Sequence, residues 1–270
     1  MDIGTIIGLI IGFAGVLAGF LEEAHWNFGA LGGLVQIAAA FIVFGGTIGA
    51  VFISFPLEDI KRIPGALKLI FSKVELDEAG TIRLIIRLAE QSRKEGLLSL
   101  EKEAQSIENP LIKKGLMLVI DGVEPQLVRD ILDADVEIRE RRHESAIKIF
   151  EAAGGYSPTM GVVGTVMGMV NILGDLGDAN MEKMGKSIAV AFIATFYGVL
   201  FANIIYLPMA GRLKAKAQKE RNLNEIVVEG LLSILNGENP RIIGDKLNLA
   251  VYEQSDKKAA GNAEAEGRTS

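Results

Sequence analysis

The sequence contains no cysteine and few of the features that mark an enzyme. Without cysteine, its 270 residues can form no disulfide, thiolate nucleophile or cysteine-ligated metal site. Its two histidines, His25 and His143, lie too far apart in sequence to suggest a shared metal site. No glycine-rich phosphate loop and no nucleophile paired with a base is recognisable, and a net charge of −6 does not argue for nucleic acid. We therefore expect no enzymatic activity, no cofactor, no metal and no nucleic-acid partner.

Charged residues are also missing from four long stretches of the chain. The uncharged runs cover 3–21, 24–57, 152–174 and 187–211. A helix needs about 20 apolar residues to cross a hydrocarbon core about 30 Å thick, and the strands of a membrane barrel would instead alternate polar and apolar residues. The first run lacks the basic start and the cleavage site of a secretory signal. The sequence predicts an all-α integral membrane protein with four transmembrane helices and a large helical cytoplasmic domain.

The distribution of Lys and Arg predicts the orientation of the spans. Residues 56–151 carry 16 of the 28 basic residues and residues 211–270 carry ten, whereas the two short connectors hold only Lys183 and Lys186. Both termini and the long middle segment are therefore expected in the cytoplasm. The expected spans lie at about 3–21, 29–55, 155–174 and 187–208.

The segments outside the spans have a helical pattern. Asp77 suits a helix start and Gly96 a helix end, and further helices are expected to begin after Asn109 and at Pro125. The predicted organisation is two spans in 1–57, a helical cytoplasmic segment in 58–152, two spans in 153–210, a helical segment in 211–252 and a disordered tail in 253–270. The basic residues after the fourth span are expected to meet anionic membrane lipid.

Glycines recur at a four-residue spacing in the first and third spans. The first span has Gly4, Gly8 and Gly12 at this spacing and then Gly15 and Gly19, and the third span has Gly164 and Gly168. Small residues at this spacing let helices approach closely. The pattern fits either assembly with other membrane helices or packing within one chain, and the sequence leaves both open.

The spans contain hydroxyls and prolines but no Asp, Glu, Lys or Arg. Ion carriers normally place an ionisable group on the pathway, so any ion transport would need a carboxylate from a partner. Thr165 and Pro158 lie in the third span, and Thr195 and Pro208 in the fourth. The ordinary structural interpretation is that such a threonine bonds its own i−4 carbonyl and that a proline marks a helix boundary.

Several motifs resemble the MotA family of flagellar motor stator subunits. They are GYSPTMGVVGTVMG at 155–168, AFIATFYG at 191–198, Leu207-Pro208, SRKEGLLSLE at 92–101 and Glu108-Asn109-Pro110. The resemblance covers about residues 1–240. It implies a complex in the bacterial cytoplasmic membrane in which five copies surround two copies of MotB, whose single transmembrane helix brings the missing aspartate.

The resemblance also implies roles for individual residues. Pro158 and Pro208 match prolines at the cytoplasmic side of the channel, and Thr195 matches a channel-facing hydroxyl. Arg93 and Glu101 match charges that meet the rotor protein FliG, and Lys94, Glu95 and Lys102 extend that patch. From the pattern alone, these charges would be an ordinary solvated helix end.

The transported ion is expected to be a proton rather than sodium. A desolvated sodium ion needs several oxygen ligands, whereas a proton needs a carboxylate and a connected chain of water or hydroxyls. Sodium-driven relatives tend to carry a second hydroxyl at the position of Ala194, although Thr165 supplies one that some proton-driven relatives lack.

Two other functional classes are compatible with the sequence. Subunits of the ExbB and TolQ type also use ion flow, but they typically have three spans and energise outer-membrane processes. A non-motor scaffold or transporter subunit is the second alternative, although a channel without its own ion ligand is unusual for a transporter that works alone.

Overall fold

The structure is a computed structural model that describes residues 3–72, 77–174 and 181–249. These residues form helices joined by short turns. No strand occurs in these three ranges. The predicted all-α fold class is confirmed. The disordered tail predicted at 253–270 lies outside the described residues.

Four helices are long and apolar enough to cross a membrane. They are α1 (Ile3–Glu23), α2 (Ile37–Ser54), α8 (Pro125–Gly174) and α9 (Met181–Leu235). In α8 and α9 only the uncharged parts, at 152–174 and 187–211, have the composition of a span. The number of spans agrees with the prediction.

The second span begins later than the sequence suggested. Residues Phe28–Leu34 form a 3-10 turn instead, which Asn27 caps by accepting a hydrogen bond from the Gly29 amide at 3.0 Å. Glycine costs about 1 kcal/mol in a helix interior relative to alanine. Gly29, Gly32 and Gly33 therefore weaken the start of the helix that the uncharged run alone had indicated.

The remaining helices are shorter and lie between the second and third spans or after the fourth. They are α3 (Leu57–Ile60), α4 (Ile63–Phe71), α5 (Glu78–Glu95), α6 (Glu101–Ser106), α7 (Pro110–Ile120) and α10 (240–249). The Asp77 carboxylate accepts from the Gly80 amide at 2.7 Å, and Gly96 ends α5 with φ of 82°. Asn109 caps α7 in the same way. The helix starts and ends read from these residues are confirmed.

The chain divides into two compact units. The span unit contains residues 1–74 and 142–215, and the loop unit contains residues 75–141 and 216–270. Residues 58–74 belong to the span unit because α4 packs against α1. Residues 142–152 also belong to it, and Ile149 packs there with Val51 and Ala153.

The loop unit has a core of large aliphatic side chains. Ile85 and Leu88 of α5, Leu116 of α7, Leu132 of α8 and Leu231 of α9 all have no exposed surface. Gly115 allows this packing, because a Cβ at that position would overlap the Leu231 side chain and lie 3.2 Å from Leu132.

Candidate functional site

Spans three and four pack closely through glycine and alanine. A Cβ added to Gly198 would lie 2.6 Å from the Ser157 carbonyl oxygen, and one added to Gly161 would lie 3.0 Å from the Ala194 carbonyl oxygen. Both distances involve backbone atoms, which cannot move aside as a flexible side chain can. The two helix backbones can therefore approach this closely only because Gly161 and Gly198 lack a side chain.

Thr165 and Thr195 meet at this interface. Their hydroxyl groups are hydrogen-bonded to each other, and both side chains are half-buried. The Thr165 Oγ1 also lies 3.2 Å from the Gly161 carbonyl on its own helix and 3.2 Å from the Ala191 carbonyl on span four. The Thr195 Oγ1 lies 3.4 Å from the Gly161 carbonyl. The expected i−4 bond is present for Thr165, but it is one of several contacts in a cluster that joins the two spans.

The two prolines lie at different distances from this hydroxyl pair. Pro158 is half-buried inside α8. It lies at the level of Gly198, since a Cβ added to Gly198 would be 3.1 Å from the Pro158 Cα. Pro208 is exposed and lines a groove beside Gly4 and Gly8 of α1. At 1.5 Å per residue, Pro158 lies about 10 Å from Thr165 along its helix, and Pro208 about 20 Å from Thr195. The structure therefore places both prolines toward one end of the spans without bringing them together.

Ala194 is fully buried within the single chain. It packs with Ala39 and Val43 of α2, and its methyl group occupies the space that a side chain on Gly164 would need. Its position is adjacent to Thr195, but its side chain has no exposed surface.

The glycines of the third span and those of the first have different surroundings. A Cβ on Gly168 would lie 2.6 Å from the Ala191 methyl carbon, so Gly164 and Gly168 both serve packing within the chain. Gly8, Gly15 and Gly19 of α1 have open space at the corresponding position, while Gly12 faces Ile204 at 3.3 Å. The sequence pattern alone could not separate these two cases.

Three contacts made by hydroxyl groups were not predicted from the sequence. The buried Ser157 Oγ donates to the Gly198 carbonyl at 3.0 Å, which fixes span three against span four. The Tyr197 hydroxyl donates to the Leu34 carbonyl, and the Tyr156 and Ser54 hydroxyls lie 2.8 Å apart. All four hydroxyl side chains belong to uncharged runs, where a hydroxyl is one of the few signals of a specific contact.

The five charges predicted to meet a rotor are all exposed. They are Arg93, Lys94 and Glu95 at the end of α5, and Glu101 and Lys102 at the start of α6. None of the five forms an ion pair in the part of the chain that the structure describes, whereas the neighbouring Arg87 and Glu103 pair at 3.2 Å. Gln91 braces the intervening turn by donating to the Ser99 carbonyl at 3.0 Å. The loop unit thus presents these charges on a fixed turn.

Other charges of the loop unit are paired internally. Hydrogen bonding from Lys246 lowers the pKa of Glu229 against the opposing effect of burial, and Arg129 assists at 2.9 Å. Partial burial would raise the pKa of Asp135, but hydrogen bonds from Arg139 and Lys114 outweigh it and hold that pKa below its ordinary value. These pairs stabilise the loop unit, whereas the five charges between α5 and α6 form no ion pair among the described residues.

The described residues include no cluster of three or more His, Asp or Glu side chains that could hold a metal ion. Within the spans, the polar groups that the structure places together are hydroxyls and backbone carbonyls. Such a site can pass or position a hydrogen-bonded species, but it carries no charge of its own.

Comparison with known proteins gives consistent matches. A family model described as the MotA/TolQ/ExbB proton channel family matches residues 103–226. Motility protein A of Bacillus subtilis (strain 168) is 34% identical over 267 residues, covering 98% of this chain and 97% of its own length. The flagellar MotAB stator complex from Bacillus subtilis matches with a TM-score of 0.81 at 34% identity, over 92% of this chain and 95% of that one. The C. jejuni MotAB structure matches with a TM-score of 0.85 at 26% identity, over 93% and 96%.

Proposed function

The chain belongs to the MotA/TolQ/ExbB proton channel family, and from that premise we propose that its third and fourth spans guide protons past a carboxylate supplied by MotB. It is an ion-channel subunit of the flagellar stator, as its matches with the Motility protein A relatives and the MotAB stator complexes establish. The single observation that carries the proposal is the hydrogen-bonded pair of Thr165 and Thr195 at the interface of these spans.

The family model alone does not separate a stator subunit from its ExbB and TolQ relatives. The near full-length match with Motility protein A does, because it extends over 98% of this chain and includes all four candidate spans. A motor function is therefore favoured over an outer-membrane one and over a scaffold. We expect no catalysis of a chemical reaction, because the chain's function in this family is ion conduction.

A MotB carboxylate would complete the pathway. The uncharged runs contain no ionisable side chain apart from His25 and the tyrosines, and a channel that binds and releases protons needs a group that changes protonation state. Two solved structures that this chain resembles are MotAB complexes. We propose that two MotB helices each bring an aspartate to the surface that span three exposes.

The surface of span three is apolar, and its large side chains are exposed in the single chain. Val162, Val166, Val170 and Leu173 recur along one face of α8 and are each more than half exposed. In water such a face would be unfavourable, whereas helices from a partner or from neighbouring copies would cover it. The proposed assembly has five copies of this chain around two MotB helices, with the glycine face of α1 meeting lipid or a neighbour.

The hydrogen bonds that Thr165 and Thr195 already form favour a proton over sodium as the transported ion. The hydroxyl protons of Thr165 and Thr195 point to the other hydroxyl oxygen or to the Gly161 and Ala191 carbonyls, so those carbonyl oxygens already accept hydrogen bonds and are less free to coordinate a desolvated sodium ion. Ala194 adds no oxygen. A connected pair of hydroxyls can orient water toward a carboxylate instead. Pro158 and Pro208 would then shape the exit toward the cytoplasm.

We propose that the exposed charges from Arg93 to Lys102 dock the rotor protein FliG. Exposed ion pairs contribute only about 0–1 kcal/mol each, so these charges would steer and align FliG rather than hold it tightly. This arrangement requires the loop unit and both termini to lie in the cytoplasm, on the side of the bacterial inner membrane that the basic residues indicate.

The ion assignment is tested by driving a motor with this stator alone. Rotation speed is measured before and after sodium is removed, at fixed pH and membrane potential. We expect the speed to be unchanged, because protons remain available. Rotation that stops without sodium and returns when sodium is added would overturn the proton assignment.

A further inference from the structure

A basic cavity lies in the span unit between α4 and the part of α8 that precedes span three. Its volume is about 310 Å³. We propose that this cavity binds the headgroup phosphate of an anionic phospholipid. The proposal rests on the cytoplasmic orientation given above, but not on ion conduction.

Small side chains create the space. Gly65 and Ala66 line the cavity from α4, and Ala146 lines it from α8. A Cβ on Gly65 would meet nothing within 4 Å. Arg62, Gly65 and Ala66 lie three and four residues apart, so they share one helix face. Larger residues at these positions would fill the gap between the two helices.

Two arginines supply the charge. Arg62 and Arg142 line the cavity together with His143, and none of the described residues that line it is acidic. Arg142 is exposed and forms no ion pair within residues 3–72, 77–174 and 181–249. Arg62 bonds Asp59 at 3.0 Å through one nitrogen, and its side chain remains 49% exposed. The rest of its planar fork of donors stays available, and that fork matches a phosphate group well.

The depth of the cavity favours a lipid over a soluble anion. Arg62 follows the last residue of the second uncharged run by five residues, and Arg142 precedes the third run by ten, about 15 Å along a helix. The headgroup layer extends about 5–8 Å beyond the hydrocarbon on each side. The Arg62 end of the cavity, about 8 Å along a helix from the second run, therefore lies at the outer edge of that layer, and its Arg142 end lies on the cytoplasmic side of it. Helix α4 packs against α1, and its Ile70 is fully buried, which holds the cavity beside the spans. Basic pockets at this level are suited to anionic headgroups of the cytoplasmic leaflet.

The test uses the purified complex of this chain with MotB and counts bound phospholipid by native mass spectrometry. Phosphatidylglycerol and zwitterionic phosphatidylcholine are added at equal concentration to the original protein and to Arg142→Gln. We expect the original complex to retain more phosphatidylglycerol and Arg142→Gln to lose about fivefold in its affinity, the effect of one basic residue near a membrane surface. Phosphatidylcholine binding should be weak and equal in both.

Two further variants make the result specific. Arg141→Gln is the matched control, since Arg141 pairs with Glu137 and does not line the cavity, and it should retain phosphatidylglycerol normally. Ala66→Leu keeps every charge but fills the cavity, and it should reduce binding as Arg142→Gln does; if it does not assemble, Arg142→Gln decides alone. Equal retention by the original protein and Arg142→Gln would overturn the proposal.

Inorganic phosphate distinguishes the two sources of the ligand. Displacement of phosphatidylglycerol by excess inorganic phosphate would show a site for a free anion and would also overturn the lipid assignment. Because the measurement needs an assembled complex but no ion flow, its failure leaves the channel proposal intact. A failure of the sodium test would likewise leave this result unaffected.

Discussion

The span unit and the loop unit are stabilised by different means. In the loop unit, large aliphatic side chains are fully buried and charges pair with one another at the surface. In the span unit, glycine and alanine bring the helices together, while many large apolar side chains, such as Phe41 at 75% and Ile53 at 89%, are exposed. The loop unit thus resembles a water-soluble domain with its own core. The span unit leaves its apolar faces for lipid and partner helices to cover.

This difference changes what exposure means in each unit. An exposed valine of α8 is ordinary in lipid and informative only if a partner covers it, whereas the unpaired charges beside Gly96 are exposed on the loop unit, where we propose that a protein partner docks. The same contrast predicts which substitutions each unit tolerates.

Replacing Gly198 by leucine should have the largest effect. The new side chain would meet the Ser157 carbonyl, the Pro158 Cα and the Gly161 Cα, so the cost should exceed the roughly 1–3 kcal/mol typical of overpacking. We expect loss of the complex with MotB and of motility, measured by copurification and swimming. Gly185→Leu, at an exposed position with open space, is the control. A normal complex carrying Gly198→Leu would contradict the close packing.

Truncating the core of the loop unit should come next. Leu132→Ala removes a fully buried side chain and should cost roughly 2–5 kcal/mol. Hydrogen exchange in α7 should become faster, because that helix packs against Leu132, while exchange in the spans should stay slow. Leu98→Ala, at a side chain that is 75% exposed, should change stability little. Equal effects of the two variants would mean that the loop unit lacks the core described here.

Reversing two charges should impair the motor without affecting the fold. Arg93→Glu combined with Glu101→Lys alters exposed side chains that have no ion-pair partner among the described residues. We expect slower swimming with a normal amount of assembled stator, and we expect Arg241→Glu, an exposed charge elsewhere in the loop unit, to swim normally. Unchanged swimming of the double variant would remove these residues from the rotor surface.

Acidification of the loop unit should have the smallest effect. The pKa of Glu229 is lowered in the folded state, so its ion pairs contribute stability above the ordinary value of 4.5, and that contribution is lost as the pH falls below it. The contribution should be about 1 kcal/mol or less, because the side chain is one-third exposed. Thermal unfolding of the complex at pH 7 and below pH 4 should show a smaller pH dependence for Glu229→Gln than for the original protein; an identical dependence would contradict the assignment.

The sequence predicted the helices well because their signals are local. Asp77, Gly96, Asn109 and Pro125 fix the helix starts and ends of the loop unit by their own backbone and side-chain chemistry. The uncharged runs predicted four spans for the same reason. The start of the second span was misjudged, because hydropathy does not register the cost of three nearby glycines.

The candidate site was less predictable because it depends on the register between two helices. Thr165 and Thr195 are 30 residues apart, and only the packing of glycine on alanine brings their hydroxyls together. The same register determines that Ser157 bonds the Gly198 carbonyl and that Gly164 packs within the chain. No spacing within a single helix contains this information.

The central claim is that the Thr165–Thr195 pair lies on the ion route, and replacing Thr195 by valine tests it most directly. Valine has nearly the same shape but no hydroxyl. The matched control is Thr47→Val, because the Thr47 hydroxyl is buried in span two without a hydrogen-bond partner in the described structure. If the Thr195 hydroxyl lowers the barrier for ion passage by about 1 kcal/mol, its removal should reduce the rotation speed of a motor driven by one stator about fivefold at low load. Assembly with MotB should remain normal, and Thr47→Val should rotate at the original speed. Equal speeds for Thr195→Val and the original stator, at equal amounts of assembled complex, would contradict the claim.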